Sequence, residues 1–287
     1  MHRPDRRNTR WIIAITAFAL LVGGVAVAHQ ASAASGAGVR AMTFNICGAV
    51  CNKGRVDRIA TYTAGRITES KVHVAFLQEV CYSQYRQIKR LVAPKGYSMM
   101  YTSTTSSGYC DNDDSRYGTG FGLAIAVKGS VSGRAVLRLP VTGGAEKRSL
   151  LGGVATIGGR KTFVASVHTS PSATQGLARQ LAKVSAYLNW KATQHPVIAG
   201  GDFNATPDNP GMLGLYSPRT GGTGRFTELD QLHTGEPARS GQPTFDGSRR
   251  KIDYLFVSAK HFARPDARSY PTSISDHCVY LGSARTA

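Results

Sequence analysis

The chain has 287 residues, 41% of them hydrophobic and 18% charged, with a formal net charge of +18. That length excludes a mini-domain unable to bury its own core and allows one large domain or two small ones. The positive excess favours a polyanionic partner (nucleic acid, a heparin-like polymer or an anionic membrane face), while composition alone leaves open a basic protein merely kept soluble by its charge.

Residues 1–33 have the layout of a secretory signal peptide. Arg3, Arg6, Arg7 and Arg10 precede the apolar run Trp11–Ala28, and the small-residue sequence "ASA" ends at Ala33. This predicts secretion after cleavage near Ala33, with a membrane anchor as the less favoured reading. Cleavage leaves one domain, 34–287, with 31 basic and 16 acidic residues.

Strand patterns follow at 39–46, 72–80, 121–129, 151–157, 161–169, 196–203, 251–258 and 276–282, rich in Val, Ile, Phe and Tyr. Helical spacing recurs three times, at Val56/Ile59/Thr63/Ile67, at Tyr85/Ile88 with Leu91 or Val92, and at Leu177/Leu181/Val184/Leu188. Several neighbouring strands lack an intervening helix, which predicts an α+β class and not a uniform βαβ winding. Loops are expected at 103–120, 217–225 and 235–250.

Export permits disulfides, and five cysteines leave at least one thiol free in a monomer. Cys81 and Cys110 flank polar, loop-like sequence and form the first expected pair; Cys47 and Cys51 are close enough to close a small loop. Cys278 reads as a buried small hydrophobe. No C-x-x-C pair occurs, which argues against a zinc site of that spacing.

Polar groups recur where the apolar runs stop. Asn45 ends "MTFN", Glu79 ends "AFLQE", His168 ends "VASVH", and Asp202 and Asn204 end "VIAGGDFN". Asp253 lies in "KIDYLF", and Asp276 and His277 open the last predicted strand. In extended geometry Asp202 and Asn204 would share one face, with Phe203 turned to the core. Each residue alone reads as a turn former or cap; the set shifts the balance towards a site.

The pieces "TFNI", "LQEV", "SVHTS", "GGDFNATP", "KIDYLFVS" and "SDH" span Thr43 to His277. In type and order they resemble the endonuclease/exonuclease/phosphatase superfamily. The resemblance implies a two-sheet β-sandwich flanked by helices in four α/β/β/α layers, with the site at one end of the sheets. It implies a metal-dependent phosphoric ester hydrolase using Mg²⁺, with Mn²⁺ as an alternative. Glu79 would be the metal ligand, with Asn45 and Asp276 completing its surroundings. Asp202 would orient or deprotonate the attacking water, and Asn204 would hold that water or a phosphate oxygen. His277 would bind the phosphoryl group with Asp253 stabilising its charged ring, and His168 would contact phosphate or help protonate the leaving oxygen. Tyr117 and Arg148 are weaker phosphate-binding candidates; a loop tyrosine and a solvated arginine are their ordinary readings. Some nucleases of the family carry arginine two positions after the glutamate, where this chain has Cys81.

Asp111, Asp113 and Asp114 leave a structural Ca²⁺ conceivable but unsupported, because the spacing lacks the EF-hand pattern. Arg249, Arg250 and Lys251 precede Asp253, and Arg219 and Arg225 flank another loop, so nucleic acid is the favoured substrate. The rivals are a sphingomyelinase-like enzyme, which alone would need a membrane partner, a small-molecule phosphatase, and a non-enzymatic polyanion-binding domain. A monomer is expected.

Overall fold

The computed structural model describes residues 37–111, 119–230 and 239–287. The expected signal peptide, Tyr117, Asp113 and Asp114 lie outside the described residues.

Twelve strands form among the described residues. They are β1 (Gly38–Asn45), β2 (Val74–Cys81), β3 (Tyr97–Ser106), β4 (Gly120–Lys128), β5 (Val131–Leu139), β6 (Arg148–Ile157), β7 (Arg160–His168), β8 (Val197–Asp202), β9 (Phe226–Glu228), β10 (Asp253–Ser258), β11 (Phe262–Tyr270) and β12 (Val279–Thr286). Three α-helices accompany them, α1 (Asp57–Glu69), α2 (Tyr82–Val92) and α3 (Leu177–Lys191). The first sheet has the order β11-β12-β1-β2-β4-β3 and the second β5-β6-β7-β8-β10-β9. Each sheet has one parallel pair at its centre, β1 with β2 and β7 with β8, and antiparallel neighbours on both sides.

Alternation along the central strands explains the layering. Ala41, Val74, Phe76, Leu123 and Ile125 face Val164, Ile198, Leu255 and Val257 in the core between the sheets. The residues between them, Met42, Phe44, Ala75, Leu77 and Ala124, pack on the apolar faces of α1 and α2. On the other side Phe163, Ala165, Val197, Ala199 and Phe256 pack on Leu181, Val184 and Leu188 of α3. Strands buried on both faces read as continuous apolar runs, which is why they were visible in sequence. The result is the expected helix–sheet–sheet–helix sandwich.

Close approach of the sheets depends on Gly200 of β8, and close pairing of β8 with β7 on Gly201. A Cβ at Gly200 would stand 2.4 Å from Phe76 Cδ2 and 2.8 Å from Leu255 Cδ2. A Cβ at Gly201 would stand 2.0 Å from the Val167 carbonyl oxygen. The pair lets β8 lie against both neighbours and carry Asp202 to the end of the sandwich.

Four strands were not expected: β3, β5, β9 and β11. They are the four edges of the two sheets. An edge strand pairs on one side only, so it tolerates glycine, charge and proline that an interior strand would not. β5 contains Gly133 and two arginines, β11 contains Pro265, and both are largely exposed. β3 occupies the start of the loop expected at 103–120. The last strand begins at Val279, so Asp276 and His277 precede it instead of opening it.

Candidate active site

The central parallel strands end at one pole and deliver Asn45, Glu79, His168 and Asp202 there. Glu79 sits at a β-bulge, where the pairing of β2 with β4 slips between Leu77 and Val80. Its φ of 56° is a left-handed conformation unusual for a side-chain-bearing residue. A bulge re-aims a side chain, and here it sends Glu79 towards Asn45.

Asn45 is the hub. Its Nδ2 donates to Glu79 Oε1 at 3.1 Å and to Asp202 Oδ2 at 3.1 Å, and lies 3.4 Å from His277 Nε2. Its Oδ1 accepts the Cys47 N–H at 3.0 Å, which fixes the amide orientation. Asp202 Oδ2 also lies 3.5 Å from His168 Nε2 and 3.6 Å from His277 Nε2. His277 Nδ1 bonds Asp253 Oδ2 at 2.9 Å. Six of the sequence candidates therefore meet in one network.

Burial is the largest influence on Asp202, lifting its carboxyl to about 7 against the pull of the His277 charge. Burial alone would lower His277, but Asp253 and Asp202 outweigh it and hold the ring at about 10. Burial also raises Glu79, with the Asn45 hydrogen bond opposing. Desolvation, then the Arg148 and His277 charges, push His168 well below its ordinary value. His168 is accordingly neutral. Arg148 Nη1 stands 3.2 Å from its Nδ1. A guanidinium only donates, so Nδ1 accepts and the ring proton sits on Nε2, facing Asp202.

Asn204 departs from the expected extended geometry. It follows β8 with φ 47°, so alternation does not orient it. Its N–H donates to Asp202 Oδ1 at 2.9 Å and its Nδ2 to the Thr169 carbonyl at 2.9 Å. Phe203 is buried against Tyr254 and Phe256. Asp276 is exposed; its carboxylate meets Ser275 Oγ at 3.5 Å and makes no hydrogen bond to Glu79 or Asn45 among the described residues.

Three charged residues stand differently from expectation. Arg148 is buried, with Nη1 2.5 Å from Glu146 Oε1, because His168 and Glu146 hold it inward. Lys251 is 5% exposed and pairs with the buried Glu228 at 3.2 Å under Tyr280, so only Arg249 and Arg250 of that run remain at the surface. Arg225 lines a cleft with His195, Lys260 and His261 at the start of β8, the pole away from Asp202.

Sequence reading missed the supports. Thr244 Oγ1 accepts the N–H groups of Ile252 and Asp253 at 3.1 and 2.9 Å, and the Thr244 carbonyl accepts the Cys278 N–H at 2.7 Å. Phe245 stands edge-on to His277, with ring centroids 4.9 Å apart. Ser275 Oγ donates to the Asn45 carbonyl at 2.8 Å and accepts the His277 N–H at 3.1 Å. A threonine, a phenylalanine and a serine in loops carry no sequence signal for such roles. Both expected disulfides form, Cys47–Cys51 and Cys81–Cys110, and Cys278 is free and buried.

No curated protein matches the chain. Its fold is similar to that of the human Nocturnin catalytic domain with bound sulfate anion, at a TM-score of 0.69 and 16% identity, covering 87% of this chain and 94% of that one. Truncated Caenorhabditis elegans TDP2 gives 0.60 and 16%, covering 86% and 97%. An endonuclease/exonuclease/phosphatase from Beutenbergia cavernae gives 0.64 and 21%, covering 87% and 72%. The model of the Endonuclease/Exonuclease/phosphatase family matches residues 42–277, which takes in every member of the network from Asn45 to His277, and the chain belongs to that family.

Proposed function

We propose that this chain is a secreted, divalent-metal-dependent phosphodiesterase acting on nucleic acid. The observation that carries the reading is Asp202, a buried carboxylate poised at about 7 between a neutral and a charged histidine. A base whose pKa lies near the working pH can take a proton from water without being permanently protonated or too weak. The Asn204 N–H holds Asp202 Oδ1, and Oδ2, which also accepts the Asn45 NH₂, faces the two histidines where the water would be activated. His277, kept charged by Asp253, offers Nε2–H to a phosphoryl oxygen, and neutral His168 offers a second donor.

The donor chemistry fits a hard cation. Glu79 is desolvated, and no lysine or arginine pairs with it among the described residues, so a dication would relieve the cost of its charge. Asp202, Asp253 and His277 also approach one another within 4.8 Å, but a charged His277 carries protons on both nitrogens and is no ligand. Glu79, with Asp276 at the rim, would hold Mg²⁺, which favours oxygen donors and keeps several waters. The ion supplies charge neutralisation at the phosphoryl oxygens. As built, Asn45 turns its NH₂ and not its oxygen to the carboxylates, so it acts by holding them.

Charge and placement support nucleic acid over lipid. Arg250 lies over Phe245, which abuts His277, so cations flank the site. Trp190, the exposed tryptophan of the described residues, ends α3 near the opposite pole; the exposed apolar groups on the site's side are Val50 and Tyr109 by the 47–54 turn, with no exposed tryptophan or phenylalanine beside them. The test offers plasmid DNA, RNA and sphingomyelin with Mg²⁺ or chelator. Nicking that stops on chelation is expected, and Asp202→Asn should lower kcat about 10²–10⁴-fold with little change in KM. Release of phosphocholine alone, or full activity in Asp202→Asn, would overturn the reading.

A further inference from the structure

The segment Ile46–Arg55, between β1 and α1, supplies no side chain to the Asp202 network but touches three of the segments that do. The Cys47 N–H donates to Asn45 Oδ1 at 3.0 Å. The Gly48 N–H donates to the carbonyl of Glu79 at 3.0 Å. Asn52 Nδ2 donates to the Ile46 and Cys47 carbonyls and reaches across to the Ile274 carbonyl at 2.8 Å, two residues before Asp276. Cys51 Sγ lies 3.7 Å from Asp276 Oδ1. There is no slack in this seat. A Cβ at Gly48 would stand 2.1 Å from Gln84 Oε1 and 2.5 Å from the Glu79 carbonyl oxygen. Gln84 Nε2 in turn bonds the Gly48 and Arg55 carbonyls at 2.9 and 3.0 Å.

The turn holds an unfavourable shape. Cys47 and Lys53 adopt φ of 46° and 50°, left-handed conformations that a side-chain-bearing residue keeps only when its surroundings impose them. The Cys47–Cys51 disulfide closes this turn. It differs from the other disulfide in two ways. Cys51 is exposed, whereas Cys81 and Cys110 are both wholly buried. Its partners are 4 residues apart in sequence, against 29 for Cys81–Cys110. Thiol exchange needs access to a sulfur, so an external thiolate reaches Cys51 first. A shorter closed loop restrains the unfolded chain less, so opening it costs the fold less.

We propose that the Cys47–Cys51 disulfide is a positioning element for the hydrolytic site, and that small dithiols open it before Cys81–Cys110 and so loosen Asn45 and Glu79 without unfolding the protein. In the reaction a thiolate of the dithiol attacks Cys51 Sγ, and Cys47 leaves as a thiolate and takes up a proton. The second thiol of the reagent then displaces Cys51. Two electrons and two protons pass to the protein, and the dithiol becomes a cyclic disulfide. Only the activity arm of the test rests on the phosphodiesterase reading.

The purified protein is exposed to graded dithiothreitol, alkylated with iodoacetamide and mapped by peptide mass spectrometry. Cys47 and Cys51 should be labelled before Cys81 and Cys110, with Cys278 mapped separately. At that stage amide exchange at Cys47 and Gly48 should quicken about tenfold or more. Plasmid hydrolysis should fall about tenfold or more, in kcat and not in KM, while the melting temperature moves by less than roughly 5 °C. The double variant Cys47→Ser/Cys51→Ser should show the same losses and no further response to dithiol. Labelled Cys47 and Cys51 with protected amides and intact kcat would overturn the proposal, as would earlier opening of Cys81–Cys110. An oxidised protein that hydrolyses no phosphoester would defeat the phosphodiesterase reading instead, and the exchange arm would still decide the positioning role.

Discussion

Asp202 and His277 lie 3.6 Å apart at their nearest side-chain atoms, and the charge of each shifts the titration of the other. His277 keeps its proton because Asp253 and Asp202 face it, in spite of its burial. Its folded value of about 10 exceeds the ordinary 6.5. The charged ring therefore adds stability that is complete below 6.5 and is lost as pH rises through about 10. Asp253→Asn removes the nearer carboxylate, so the ring should titrate at lower pH, and the alkaline loss of stability, which still starts near 6.5, should be smaller and end at lower pH. An NMR titration of the His277 ring checks this; an unchanged midpoint would show that Asp253 is not the cause. At this scale the polar network was legible because each member ends or opens an apolar run whose position the core fixes. Arg148 and Lys251 were not, since whether a long cation lies inside or outside is decided by partners remote in sequence: His168 for the one and Glu228 for the other.

Among the elements, the interior strands announced themselves and the edges did not. Gly133 in β5 and Pro265 in β11 break the alternation that reads as a strand, and only pairing with β6 and β12 makes those segments extended. The bulge at Glu79 was equally hidden, because "LQEV" contains no glycine to mark the left-handed position. β8 supplies a test of its own. Gly200→Ala forces a methyl group against Phe76 and Leu255, and overpacking of this kind costs roughly 1–3 kcal/mol. The melting temperature should drop by about 2–4 °C for each kcal/mol lost. No change on thermal denaturation would mean the sheets are less tightly apposed than described.

For the molecule as a whole, charge was legible in amount and not in placement. Lys251 is taken up by a buried pair and Arg225 lies at the far pole, so the cations that flank the site are few. Replacing Arg249 and Arg250 together by alanine should reduce the slope of log K against log salt for DNA binding by about 2, one for each phosphate no longer neutralised. Salt titrations of the two proteins check it, and equal slopes would place the DNA elsewhere.

The mirrored order of the two sheets has a mechanical consequence. Three close pairs at the pole straddle the sandwich: Asn45 with Asp202, Glu79 with His168, His277 with Asp253. A slight shear between the slabs would thus uncouple all three at one stroke, whereas bending either slab alone would spare them. Catalysis should consequently fade in urea ahead of the loss of circular dichroism, as a single step and at one denaturant concentration for every substrate. Inactivation that tracked the spectroscopic transition would mean that the slabs part only when the whole sandwich melts.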